Sequence, residues 1–300
     1  METQLQELRN LTSRAENRRT ATGIPRVAMV QGQIPEHQLA AVYEPMINLI
    51  LTGSKVMTVG DRILHYNPAT YFVMSVDLPA VGSVHPSKDG APYLAVSLTL
   101  EPARVASLLA DLPKSAGGEL YSPGFSVAPT STELLDAWVR MLRLMERPNE
   151  IAALAPAYER EILFRVLQGP LGWMLRDIAT PYTGLSRIGV AIEWIRGNFA
   201  KPLRVEALAE MAALSVSAFH HHFKAVTALS PLQYHKQVRL LHARSLLIAG
   251  EGNCTSIAFG VGYESPNQFS REYARQFGLP PSRDAARLRR KDTCQAEILQ

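Results

Sequence analysis

Cysteine is scarce in this chain of 300 residues. Its two cysteines, Cys254 and Cys294, cannot build a framework of bridges, and neither has metal-ligand spacing around it. Cys254 is therefore read as a small packing residue. No run of eighteen apolar residues occurs, so no membrane-crossing helix is expected. The opening stretch, METQLQELRNLTSRAENRR, lacks the apolar segment of a secretory signal. These absences give the expectation of a cytoplasmic protein. Catalytic motifs are missing too: there is no G-x-S-x-G, no H-E-x-x-H and no glycine-rich phosphate loop. His37, His65 and His85 stand singly. His220, His221 and His222 are contiguous, but neighbouring helical residues point ~100° apart and do not converge on one ion. No metal, no cofactor and no enzymatic activity are expected.

What is present is a large apolar share, 47%, on a length that favours two domains. The charge is unevenly placed. From Ser186 onward there are 15 Lys and Arg against 9 Asp and Glu, leaving 16 and 18 for the rest of the chain. The basic excess is wholly C-terminal, which points to a polyanion, most economically nucleic acid.

The hydrophobic period also changes along the chain. Leu5, Leu8 and Leu11 suggest a mobile or loosely docked N-terminal helix. From Arg26 the runs RVAMVQG, MINLILTG, KVMTVG, RILHYN, TYFVMSV and YLAVSLTL read as short strands, with a hairpin turning on Gly60-Asp61. Closely spaced short strands predict an antiparallel barrel or sandwich. Beyond Glu101 the period is helical. ARVASLLADL, residues 132–146 and residues 151–168 are predicted helices, the second with a broad apolar stripe through Leu134, Trp138, Met141 and Met145. Such a stripe packs on the barrel or on a partner subunit, so a homodimer through helices 132–168 is one expectation. Glycines and prolines place a domain boundary near Thr180–Ser186. Everything after it is helical.

Within that last region the chain repeats itself. Shifted by fifty positions, SVSAFHHHFKAVTALSP (215–231) lies under SPNQFSREYARQFGLPP (265–281). The matched residues are a serine N-cap, two aromatics four apart on one helix face, and a leucine-proline stop. The intervening polar residues differ: Ser217, His220 and His221 in one copy, Asn267, Gln268 and Arg271 in the other. Each copy follows a short helix and a tight turn, the helix-turn-helix pattern. Between them SPLQYHKQVRLLHARSLLIAG predicts a spacer helix of about 19 residues, or about 28 Å. A rod of that length suits two helices entering successive major grooves about 34 Å apart.

IAFGVGYESPNQFSREYARQFGLPP resembles the C-terminal signature of AraC/XylS-type transcription regulators, and the likeness extends from about Ile188 to Leu288. INLILTGSKVMTVGDRILHYNPATYFVMSVDLP is similar to the cupin-like N-terminal domain of one subfamily. The resemblance implies an α+β chain: an N-terminal antiparallel β-barrel (cupin-like) with flanking helices over 20–180, and an all-α double helix-turn-helix domain over 187–290. It further implies that Ser217, His220, His221, Asn267, Gln268 and Arg271 face base edges of double-stranded DNA. Their chemistry agrees, since Arg pairs with guanine and Asn or Gln with adenine. Phosphate contacts fall to Arg204, Lys224, Arg275 and the helix N-termini at Ser215 and Ser265. An activator would also meet RNA polymerase.

For the N-terminal half three readings compete: a barrel that senses a small-molecule effector, a barrel that only dimerises, and a metal-dependent cupin enzyme, which the isolated histidines disfavour. Candidate effector contacts are Arg26, Asn48, His65, Tyr71, Asp77, His85 and Tyr93.

Overall fold

The computed structural model describes residues 1–32, 40–68, 70–113, 123–180 and 183–297, with side chains to 289. His37, most of the Gly/Ser/Pro loop after residue 113, Pro181-Tyr182 at the expected boundary, and the Cys294 side chain lie outside the described residues.

Ten strands are described: β1 (Thr20–Ala21), β2 (Val27–Gln31), β3 (Ala40–Tyr43), β4 (Met46–Thr52), β5 (Ser54–Val59), β6 (Arg62–Tyr66), β7 (Thr70–Met74), β8 (Leu78–His85), β9 (Leu94–Thr99) and β10 (Phe125–Pro129). They form two antiparallel sheets, ordered β1-β2-β9-β4-β7-β10 and β3-β8-β5-β6, so of barrel and sandwich the strand pairing is that of the sandwich. The six runs expected from the sequence are β2, β4, β5, β6, β7 and β9. The strands not anticipated are short, like β1 and β3, or interrupted by Pro79 and Gly82, like β8. The β5–β6 hairpin turns at Gly60, whose φ of 59° lies in the left-handed region.

Side-chain alternation splits the larger sheet between two cores. Leu49, Leu51, Tyr71, Val73, Val96 and Leu98 face a cluster shared with helices; Ile50, Phe72, Met74 and Ala95 face the smaller sheet's Met57, Val59, Leu78 and Ala80. The helices on the first side are α1 (Glu2–Leu11), α2 (Pro102–Ala110), α3 (Thr132–Arg143), α4 (Ile151–Gln168) and α5 (Gly172–Ala179). Two expectations change here. The stripe on α3 is consumed within the chain, since Leu134, Leu135, Trp138, Met141 and Leu142 are all buried. The N-terminal helix is firmly docked: Leu5 and Leu8 are buried, Arg9 Nε donates to Leu51 O at 2.9 Å, and Glu7 pairs with Arg143. Its apolar stripe fits a groove that a lone helix does not reveal.

The C-terminal helices are α6 (Gly184–Gly197), α7 (Val205–Met211), α8 (Val216–Thr227), α9 (Pro231–Ala249), α10 (Cys254–Gly260), α11 (Pro266–Phe277) and α12 (Pro281–Glu297). Ile188, Ile192, Phe219, Phe223 and Tyr234 extend the inter-sheet core, while Ile257, Ala258, Val261, Phe269 and Tyr273 form a separate one with Leu240, Ala243 and Leu247 of α9. The first helical core is thus continuous with the sheets and the second is not. Gly124 N donates to Val226 O at 2.9 Å, Tyr234 Oη donates to Asp77 O at 2.7 Å, and Arg196 pairs with Asp77. A Cβ on Gly60 would stand 2.3 Å from Ala228 O, so the hairpin turn needs glycine for this approach as well as for its φ.

Candidate nucleic-acid interface

The first helix-turn-helix is α7 and α8. Ala213, at φ 52°, makes the turn, and Leu214 N donates to Ala209 O at 2.9 Å. Ser215 caps α8 by accepting from Ala218 N. In the second, α10 leads to Gly262 at φ 90°, Tyr263 N donates to Ala258 O, and Ser265 caps α11 by accepting from Gln268 N. The two motifs are not related by one shift. Their second helices align at fifty positions, but the first helices and turns align at forty-nine, with Ala209 matching Ala258 and Ala213 matching Gly262. One extra residue, accommodated in Gly262-Tyr263-Glu264, separates the second turn from its cap.

Phe219 and Phe223 in α8, and Phe269 and Tyr273 in α11, are buried. Amphipathic geometry then directs the intervening residues outward. Ser217, His220, His221 and Lys224 are exposed on α8, and Asn267, Gln268, Arg271 and Arg275 on α11; Arg204, at the entrance to α7, is exposed too. Gln268 Nε2 donates to Glu272 Oε1 at 3.3 Å, and Glu272 accepts from the Tyr263 hydroxyl at 2.9 Å. That carboxylate orients the glutamine amide before any ligand arrives.

The spacer α9 spans 19 residues with a capping box at Ser230 and Gln233 and a left-handed Gly250 at its end. Its first half contributes Tyr234 and Val238 to one core and its second half Leu240, Ala243 and Leu247 to the other. Arg239 bonds the carbonyls of Phe199, Ala200 and Lys201 and lies over the Tyr263 ring. In the second core Arg244 Nε donates to Asp284 at 3.0 Å, and Tyr273 Oη and Arg287 donate to the same carboxylate. Burial pushes that carboxyl's pKa up, but the hydrogen bonds from Arg244 and Arg287 outweigh it and leave the pKa lowered. These ties join the C-terminal helices into a single framework with two outward polar helices.

A model for AraC-type transcriptional regulator N-termini matches residues 23–174. The chain belongs to the AraC-type transcriptional regulators. A helix-turn-helix model matches residues 208–287 of this regulator. The transcriptional activator RhaS of Escherichia coli (strain SE11) is 29% identical over 175 residues, covering 57% of this chain and 59% of RhaS. RhaS of Escherichia fergusonii is 36% identical over 96 residues, 32% of this chain and 34% of that protein. The match thus spans less than two thirds of either relative's length. Among solved structures, an apo variant of ToxT from Vibrio cholerae shares the fold with a TM-score of 0.57 at 11% identity, covering 90% of this chain and 100% of that one. Wild-type ToxT with an unsaturated fatty acid bound gives 0.54 at 11% identity, covering 86% and 94%.

The N-terminal candidates do not converge. Arg26 bridges to Glu159 on α4 and to Glu101, with a left-handed φ of 63°. His65 is exposed on β6, and His85 ends β8 beside the Ser83 hydroxyl. Tyr71 packs among the α1–α5 helices' core, and Asp77 ties the sheets to α6 and α9. Of the seven candidates only Asn48 and Tyr93 line the cavity of about 390 Å³ that opens beside β2, β3, β4, β5 and β9. Lys55, Tyr43 and Ser97 line it as well and escaped the sequence reading. The signal for Lys55 was available: it shares the inward side of β5 with Met57 and Val59, an apolar alternation in which a lysine is out of place. Among the described residues no three His, Cys, Asp or Glu side chains are grouped to hold a metal ion, and no helix is long and apolar enough to cross a membrane.

Proposed function

We propose that this regulator binds double-stranded DNA sequence-specifically, with α8 and α11 entering successive major grooves, and that a small molecule held in its N-terminal cavity controls that binding. The observation that carries the reading is the pair of outward polar faces on aromatic-anchored helices whose two cores share one spacer helix. Base readers are Ser217, His220 and His221 on α8 and Asn267, Gln268 and Arg271 on α11. Lys224, Arg204 and Arg275 meet phosphates. The cavity favours effector control over a scaffold-only role for the sheets, because a purely dimerising domain has no use for polar groups buried around an open space. The fatty acid seen in ToxT supports the same assignment for this fold. The chain acts in the cytoplasm and performs no catalysis. If it activates, as RhaS is named for doing, RNA polymerase is its further partner. A homodimer would use the outer side of α4, since the stripe on α3 is occupied.

Genome-wide mapping of DNA bound by the full chain tests the reading. Enrichment at discrete sites sharing a bipartite sequence supports it. Uniform recovery of genomic DNA, unchanged by replacing both α8 and α11 polar faces, contradicts it.

A further inference from the structure

Lys55 is 7% exposed, yet among the described residues no carboxylate forms an ion pair with it; its ammonium lies 4.8 Å from the centre of the Tyr43 ring. A methionine in its place would pack on the same face without the cost of an unpaired buried charge. Asn48 is equally buried. Its Nδ2 donates to Val96 O at 3.1 Å, which fixes the amide, while its Oδ1 has no hydrogen-bond partner. The buried Tyr66 hydroxyl, on the residue paired with Lys55 across the β5–β6 ladder, also lacks one. A buried polar atom left without a partner costs stability; Tyr66 lies outside the cavity lining, but Asn48 Oδ1 and the buried Lys55 line the same cavity, and together they describe an incomplete site. The lining carries Arg18, Arg19 and Lys55 against a single carboxylate, Glu44; its aliphatic walls are alanine, valine and methionine, with Tyr43, Tyr93, Asn48 and Ser97 between them. Volume and lining suit a small organic molecule.

We propose that this cavity is the effector site and takes a small hydroxy acid, its carboxylate paired with Lys55 and its hydroxyl donating to Asn48 Oδ1. The assignment rests on the effector reading above and specifies its chemistry. Burial holds the Lys55 pKa down to about 8, so at neutral pH the amine is still largely protonated and ready for an anion. Strand β5 carries the consequence outward. Lys55 stands near its start, and the Gly60 turn just beyond its end lies against Ala228, where α8 stops. A ligand that pulls on Lys55 therefore acts on the strand that supports the first helix-turn-helix.

The test is calorimetric and thermal-shift titration of the full chain with mandelate and lactate. Each is run beside its primary amide and its deoxy acid, phenylacetate or propionate. The amide removes the charge and the deoxy acid removes the hydroxyl. The proposal expects the hydroxy acids to bind and the amides to fail. It expects the deoxy acids to bind at least about tenfold more weakly, as the loss of a hydrogen bond to a buried acceptor requires. Lys55→Met should fold and lose acid binding. Ser97→Asp, which adds a carboxylate to the lining, should lose it independently. Amides binding as well as acids, or acid binding retained in both variants, overturns the anion assignment while leaving an effector site in place. No binding of any compound overturns the hydroxy-acid assignment. Cavity-filling Ala95→Met then decides the effector reading: unchanged response to cell extract metabolites removes that reading too.

Discussion

Single residues in this regulator divide into those proposed to read bases and those that hold the fold. Arg271 is exposed one helical turn beyond Asn267, and its fork matches the guanine edge. Arg271→Ala is expected to cost about 1–3 kcal/mol on the preferred site and to relax preference at one base position. Lys224→Ala should weaken binding to all duplexes alike and flatten the salt dependence. Fluorescence anisotropy on preferred and scrambled duplexes at several salt concentrations separates the two. Equal losses on both duplexes for Arg271→Ala would remove it as a reader. Lys55 gives a residue-scale prediction of another kind. Its pKa falls from 10.5 when unfolded to about 8 when folded, so the unfolded chain holds more protons between those values. The destabilisation from its buried charge is fully present below pH 8 and is relieved as pH rises towards 10.5. Denaturant titrations should show the stability gap between Lys55→Met and the parent chain closing across that window. A constant gap would place the amine in water. At this scale the exposure of the proposed readers on α8 and α11 was legible in the sequence, because the buried aromatics four apart fix which helix face turns outward. The cavity residues were not. Arg26 and Asp77 looked like ligand contacts but are spent on Glu159 and Arg196, partners that lie over a hundred residues away and that no local pattern reveals.

At the scale of elements, the second helix-turn-helix depends on the Arg244–Asp284 pair, 8% and 0% exposed at the side chains. Arg244→Ala leaves the buried Asp284 carboxylate to Arg287 and Tyr273 alone and should cost about 1.5–3 kcal/mol, the range for a hydrogen bond to a charged group. Chemical denaturation followed by tyrosine fluorescence checks it, and a loss under about 1 kcal/mol would show the pair to be dispensable. The pair is also acid-sensitive. The folded carboxyl titrates below its ordinary value, so its contribution is complete above about pH 4 and is lost as pH falls through the lower folded value. Helix caps, the spacer and its length were readable from Ser230, Pro231 and Gly250, since caps are local chemistry. The repeat was less fully readable. A single shift of fifty hid the extra residue between Gly262 and Ser265, because the turn is set by where the chain reaches a left-handed φ rather than by identity of letters. Strands such as β8 were missed for the complementary reason: Pro79 and Gly82 argue against a strand, and only pairing with β3 and β5 overrides them.

Across the whole molecule the two helix-turn-helices are held unequally. The first shares a continuous core with the sheets, and its α8 ends against Gly60 and Gly124; the second has its own core and meets the first through α9 and Arg239. Gly60→Ala puts a methyl into the Ala228 carbonyl and forces an L residue into a left-handed turn, so it should loosen α8 without touching α11. Hydrogen exchange should rise in residues 216–228 and stay unchanged in 266–277; a uniform rise would mean that the motifs open together. Under the proposed function, this asymmetry assigns an effector's signal to the first motif and a constant anchor on DNA to the second. In the proposed function both motifs read sequence, one groove apart. Selection of bound duplexes from a random pool by the full chain addresses it most directly. The expected result is a bipartite motif whose elements are centred about 10 base pairs apart. Asn267→Ala with Arg271→Ala should erase one element and spare the other. A single undivided motif, or two elements lost together in that variant, would contradict it.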